Sequence, residues 1–224
     1  IVYLMGLIAL IMVLAWLPDE KLGSANKRGI PFQPRQLLKF HPSVIGMLLL
    51  MTIFFVFPTN FAIITQQQTA LSTEAVTIIM VGLDIVAFFV GVFFGPLMRK
   101  FRITIKYFAP VFFLLGYASY TLTSASMILL GSTFIGIANG VGVPYLNTIA
   151  SIKGGKNSAT TVMPLLSAAL YLGQFVSPLI VLPLSTFIFG QDITGPYKIG
   201  VMISIVFIVQ VWTTRHFQSL PPKQ

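Results

Sequence analysis

One carboxylate in this chain sits where a carboxylate is costly. Asp84 lies about midway along the apolar run from Val76 to Leu97, and a charge at the centre of a bilayer costs roughly 2.5 to 3.5 kcal/mol on insertion scales. No Lys or Arg falls within two helical turns of it. The group must therefore face a wet cavity, pair with another helix or keep its proton. A buried carboxyl has a raised pKa and exchanges protons near neutral pH, which suits it to couple a proton gradient or attract a cationic solute. An interhelical hydrogen bond with a packing role is the plainer alternative. At helical spacing Thr73, Thr77, Asp84, Gly91 and Gly95 share a stripe, while Ile79, Val86, Phe89, Val90 and Phe93 cover other faces.

A second polar stripe, Ser167, Tyr171, Gln174 and Pro178, follows spacings of four, three and four. Thr59 and Asn60, and Asn139, Tyr145 and Asn147, add donors and acceptors in other apolar runs. Taken with Asp84, the residues Asn60, Thr77, Asn139, Tyr145, Tyr171 and Gln174 are candidate contacts for a small molecule. Each alone serves equally as a bond between helices, worth about 0.6 to 2 kcal/mol. Pro58, Pro144, Pro164 and Pro178 each remove a backbone hydrogen bond and mark places where a helix can bend; prolines are also ordinary in spanning helices. Gly136, Gly140 and Pro144 are spaced by four, as are Gly91 and Gly95, which permits close helix contact.

Catalytic chemistry is not expected. His41 and His216 both fall in hydrophilic segments, and Asp84 has no carboxylate partner at membrane depth. The absence of cysteine excludes disulfides and thiolate metal sites. No metal cluster, cofactor motif or phosphate loop is present in the sequence, so the chain reads as a non-enzyme without cofactors.

The elements that position these residues are seven apolar stretches: Ile1 to Leu17, Val44 to Thr65, Val76 to Leu97, Thr104 to Leu122, Ser126 to Ile149, Thr160 to Leu184, and Tyr197 to Thr213. A bilayer core takes roughly 20 apolar residues as a helix. With 56% hydrophobic residues, 8% charged and a mean hydropathy of +0.90, the expected fold is an all-α polytopic transmembrane bundle. Thirteen of the 14 Lys and Arg residues lie in alternate gaps or in the tail. By the positive-inside rule those gaps and the C-terminus are cytoplasmic. The gaps Gln66 to Ala75, Thr123 to Ala125 and Ser185 to Pro196 carry no Lys or Arg and face outward; Lys198 alone starts the last span from that side. Anionic lipid headgroups account for the net charge of +9, so no nucleic-acid partner is expected.

Residues 18–41, with three prolines and most of the polar variety, form the one candidate domain boundary. The expected organisation is a last helix of a preceding half at 1–17, a cytoplasmic loop at 18–41, six helices at 42–216 and a cytoplasmic tail at 217–224. Ile1 is not a start methionine and begins within apolar sequence, so more chain is expected upstream. Six spans after the loop split into two triplets, and because three is odd the second triplet runs opposite to the first, the 3+3 inverted repeat of a secondary transporter. Pro58 with Asn60, and Pro144 with Asn139 and Asn147, stand at matching places in the first helix of each triplet.

The chain resembles the C-terminal half of a major facilitator superfamily transporter, preceded by the last helix of the N-terminal half and the central loop. Gly91-Val-Phe-Phe-Gly95-Pro-Leu-Met-Arg99-Lys100-Phe-Arg102 is similar to the loop motif of that superfamily. Gly91, Arg99 and Lys100 match, while Gly95 stands where an acidic residue is usual and Met98 replaces a second glycine. Gly173-Gln-Phe-Val-Ser177-Pro178 resembles a degenerate copy of a glycine-and-proline motif of proton-coupled drug exporters. Short loops and many phenylalanines look most like bacterial drug or metabolite exporters. The resemblance implies alternating access with proton antiport in a bacterial inner or plasma membrane, with Asp84 as the proton or cation site and Asn60, Tyr171 and Gln174 on the substrate. Its partners would be a small-molecule substrate, protons, lipid and the missing half of the same carrier. An uptake carrier, a seven-helix receptor and a self-assembling complete chain are the competing readings.

Overall fold

The computed structural model describes residues 40–68, 71–122, 124–154 and 159–214. The expected first span, the linking segment up to residue 39 and the tail lie outside the described residues. Within them the chain forms α1 (His41–Gln68), α2 (Thr73–Val92), α3 (Phe94–Phe101), a 3₁₀ turn at Thr104–Tyr107, α4 (Phe108–Tyr120), α5 (Ala125–Gly154), α6 (Ala159–Phe189) and α7 (Gly195–Thr213). Among the described residues, helices α1, α2, α5, α6 and α7 are each long and apolar enough to cross a membrane, and Phe94–Phe101 with Thr104–Tyr120, bent by 116°, makes a sixth if the pair is counted as one span.

The apolar run expected to continue through Leu97 instead breaks at Phe93, and α3 begins a new helix. Pro96 explains the restart, since it sits in the first turn of α3, where its missing N–H has no intrahelical partner to lose. The bend that follows is built on Arg102, whose φ of 45° is a left-handed conformation unusual for a side-chain-bearing residue. Ser72 starts α2 by accepting a hydrogen bond from the Ala75 N–H at 3.3 Å, with Glu74 in the first turn.

The packing follows the two triplets. Helix α2 lies on α5, and α6 lies on α1, so the second helix of each triplet rests on the first helix of the other. Helix α4 packs between α5 and α7. Glycines seat both crossings. A methyl group built on Gly136 would lie 2.7 Å from the Leu83 carbonyl oxygen, and one on Gly140 2.5 Å from that of Ala87. On α6, Gly173 takes the same role against the Leu48 carbonyl at 2.7 Å. There Ser177 Oγ donates to the Thr52 carbonyl at 2.8 Å, so Gly173 and Ser177 hold α6 against α1.

Pro58 leaves the Phe54 carbonyl without its N–H. The buried Tyr117 hydroxyl of α4 donates to the Ile53 carbonyl and lies 3.5 Å from that of Phe54. Thr59 Oγ1 donates to Phe55 O at 2.6 Å and Asn60 Nδ2 to Val56 O at 2.9 Å. Four successive carbonyls around the proline are thereby served by side chains. Tyr117→Phe should lower stability in detergent by about 1 kcal/mol. Adding Pro58→Ala, which returns an N–H to Phe54, should recover part of that loss; strictly additive losses in a melting series would contradict the coupling.

Candidate functional site

Asp84 lies in the middle of α2, whose fully buried residues are Val76, Ile79 and Leu83. The buried stripe faces the glycines of α5, and Asp84, one residue past Leu83, points to its flank. It is exposed and makes no hydrogen bond or ion pair among the described residues. Of the settings expected for it, an ion pair or hydrogen bond to a neighbouring helix is not made among the described residues. Thr77 is on the same face and exposed, with its hydroxyl turned to its own helix at Thr73 O, 2.9 Å away.

The glycine seats set the depth of the other candidates. Leu83 meets Gly136 and Ala87 meets Gly140, so Asp84 is level with Ile137 and Asn139 lies about 3 Å nearer the basic end. Asn139 Oδ1 is buried without a hydrogen-bond partner. Gly142 meets Leu50 while Gly173 meets Leu48 and Met51, which places Gln174 about 6 Å and Tyr171 about 10 Å nearer the basic end than Asp84, one to two helical turns away. Tyr171 is 67% exposed, Gln174 is half-buried and Pro178 is exposed, all on the side of α6 turned from α1. Mid-depth polar groups on α2, α5 and α6 thus fall within about two turns of each other in depth.

Other candidates fall elsewhere. Tyr145 is buried in the core at 5% exposure, which takes it off any open face. Asn60 lies about 10 Å further toward the end opposite Arg99 and Lys100, where it lines a separate cleft with Thr59. Of the loop residues, Gly91 faces the Gly140 carbonyl at an ordinary 3.8 Å, while Gly95 has nothing near it. Arg99 and Lys100 are exposed on the last turn of α3 and make no ion pair among the described residues. Pro144 frees the Gly140 carbonyl, which turns toward Gly91 of α2. Pro164 is exposed on the first part of α6.

Two groups escaped the sequence reading. Tyr117 is one; its signal was a phenol in an apolar run, which needs a partner when buried. The other is Asp192, in the turn between α6 and α7, which binds the Lys198 ammonium and accepts from the Thr194 N–H at 2.9 Å and the Thr194 hydroxyl at 2.8 Å. Lys198, then the Thr194 hydroxyl and N–H, hold its carboxyl down at about 2, against an ordinary 3.8. A depressed acid contributes stability above its ordinary value and loses it as pH falls through the folded one. Melting of the wild type should therefore approach that of Asp192→Asn between about pH 4 and 2, having exceeded it at neutral pH; a constant gap across that window would contradict the pairing.

The profile of the major facilitator superfamily matches residues 1–178, well over half of the chain. No curated protein and no solved structure matches it. The chain belongs to the major facilitator superfamily, whose members are membrane transporters, and is a multi-pass membrane protein.

Proposed function

We propose that this chain moves a small organic solute by alternating access, coupled to proton antiport, with Asp84 carrying the proton and export as the direction. The observation that supports this reading is the place of Asp84: mid-span, exposed, and without a described partner. A carboxylate cannot rest against hydrocarbon at that depth without a cost of roughly 2.5 to 3.5 kcal/mol, so its face is covered by water or protein in the working carrier. The other half of the same carrier is the partner that fits, closing over α2 and α6 to make the solute cavity. Asn139, Tyr171 and Gln174 then line that cavity within about two turns of Asp84 in depth, and the bends at Pro58, Pro144, Pro164 and Pro178 let the helices open to one side at a time.

Coupling follows from competition for one carboxylate. Protonated, Asp84 releases a cationic or hydrogen-bonding solute; deprotonated, it holds one. The test uses inside-out vesicles of cells expressing the whole gene product, acidified within and loaded with a pH-sensitive dye. Solute accumulation accompanied by a rise in internal pH supports antiport and export. Solute and protons leaving together would mean uptake by symport, and flux without any pH change would remove proton coupling.

A further inference from the structure

At the end of the bundle opposite Arg99 and Lys100, α1, α6 and the α6–α7 turn enclose an open cleft of about 470 Å³, within the range that holds small organic ligands. It is separate from the mid-depth band, since neither Asp84 nor Tyr171 nor Gln174 lines it. One wall is apolar, formed by Ile63, Leu182, Ile193 and Pro196.

The polar wall divides into groups already used and groups left open. Thr59 and Thr186 donate to the Phe55 and Leu182 carbonyls of their own helices. Both oxygens of Asp192 are taken by Thr194 and by the Lys198 ammonium, so the carboxylate brings no free charge. Ser185 is different. It lines the cleft, is only 3% exposed, and makes no hydrogen bond among the described residues. Asn60 spends its amide hydrogens on Val56 O and Thr59 Oγ1 and keeps Oδ1 as an acceptor. Gln67 and Gln191 present exposed carboxamides from opposite sides. The Ser185 hydroxyl, packed beside Gly195, and Asn60 Oδ1 leave hydrogen-bonding capacity that a ligand can use.

We propose that this cleft binds an uncharged organic solute bearing hydroxyl or amide groups, held by Ser185, Asn60, Gln67 and Gln191 with its apolar edge on Ile63, Leu182 and Ile193. Charge neutrality sets the class: a cation finds the Asp192 carboxylate already occupied, and an anion finds the Lys198 ammonium already occupied. An ion therefore gives up hydration without a counter-charge in return. The site is independent of Asp84, of coupling and of direction.

The chain has no cysteine, so Gln191→Cys, in a whole carrier with any cysteine of its other part replaced by serine, gives a single thiol at the cleft. Its alkylation by a membrane-impermeant maleimide is timed in glucose, glucosamine and gluconate, three solutes of one skeleton and different charge. Glucose should slow labelling, and the charged analogues should slow it less. Ser185→Ala should weaken the glucose effect about two- to tenfold. Lys198→Gln frees Asp192 and should reverse the order, glucosamine then protecting better than glucose. Equal labelling in all three solutes, or protection by glucosamine in the unaltered Lys198 background, would overturn the proposal. Because labelling reads occupancy without flux, either result leaves the vesicle test of proton coupling undecided by it, and the two readings fail separately.

Discussion

Asp84→Asn should leave the protein folded and inserted while abolishing uphill movement of solute. The substitution keeps size and hydrogen-bonding capacity but removes the ionisable proton. No described residue pairs with Asp84, so no buried cation is orphaned, and stability should change by no more than about 0.5 kcal/mol, as for surface substitutions away from special features. Downhill exchange of solute should persist, because the α2 scaffold is unaltered. What disappears is the dependence of flux on a pH gradient. A mutant that still concentrates solute with the same pH profile would remove Asp84 from the mechanism.

Gly140→Ala is the second large effect. The added methyl would stand 2.5 Å from the Ala87 carbonyl oxygen, 2.9 Å from Val90 Cβ and 3.1 Å from Ala87 Cα. Two of these three are backbone atoms that cannot swing aside, so α2 must move off α5. Overpacking of this kind costs about 1 to 3 kcal/mol. It also shifts the helix that carries Asp84, so flux should fall along with the melting temperature. Gly82→Ala, on the same α2 but with open space around the added methyl, is the control and should be nearly silent. If Gly140→Ala melts like Gly82→Ala, the glycine seat does not hold these helices together.

Helices were legible in the sequence because hydropathy and length alone decide them in a bilayer. The stretch Val44 to Thr65 became His41–Gln68, and Thr160 to Leu184 became Ala159–Phe189; the polar residues Gln66 to Gln68 account for the first extension, and Ser185 and Thr186 concealed the apolar last turn Phe187 to Phe189 in the second. Phe93 to Leu97 was misjudged because hydropathy ignores Pro96 as a helix-starting residue. Gly136 and Gly140 were recognisable as a close-contact pair by their spacing, but nothing in the spacing names α2 as the helix that meets them. Periodicity likewise placed Thr77 and Asp84 on one stripe without saying whether another helix covers it. That depends on packing between distant segments, and here the stripe is open. Gly173 and Ser177, read as part of a degenerate family motif, turn out to join α6 to α1. Tyr117 and Pro58 are 59 residues apart, and Asp192 and Lys198 meet because the turn closed by the Gly195 N–H on the Asp192 carbonyl leads straight into the first turn of α7; neither pair announces itself in one dimension.

Whether the face bearing Asp84 is wet in the intact carrier can be measured by thiol reactivity. In the cysteine-free chain, Asp84→Cys is compared with Ile78→Cys and Ile85→Cys, which are 70% and 51% exposed on the other side of α2, using a small charged methanethiosulfonate that reacts only in water. A solute pathway along the Asp84 stripe requires fast modification of Asp84→Cys, close to that of Gln191→Cys, with the two isoleucine positions inert against lipid. Equal inertness at all three positions would place Asp84 in the membrane or under a packed helix and contradict its role in transport.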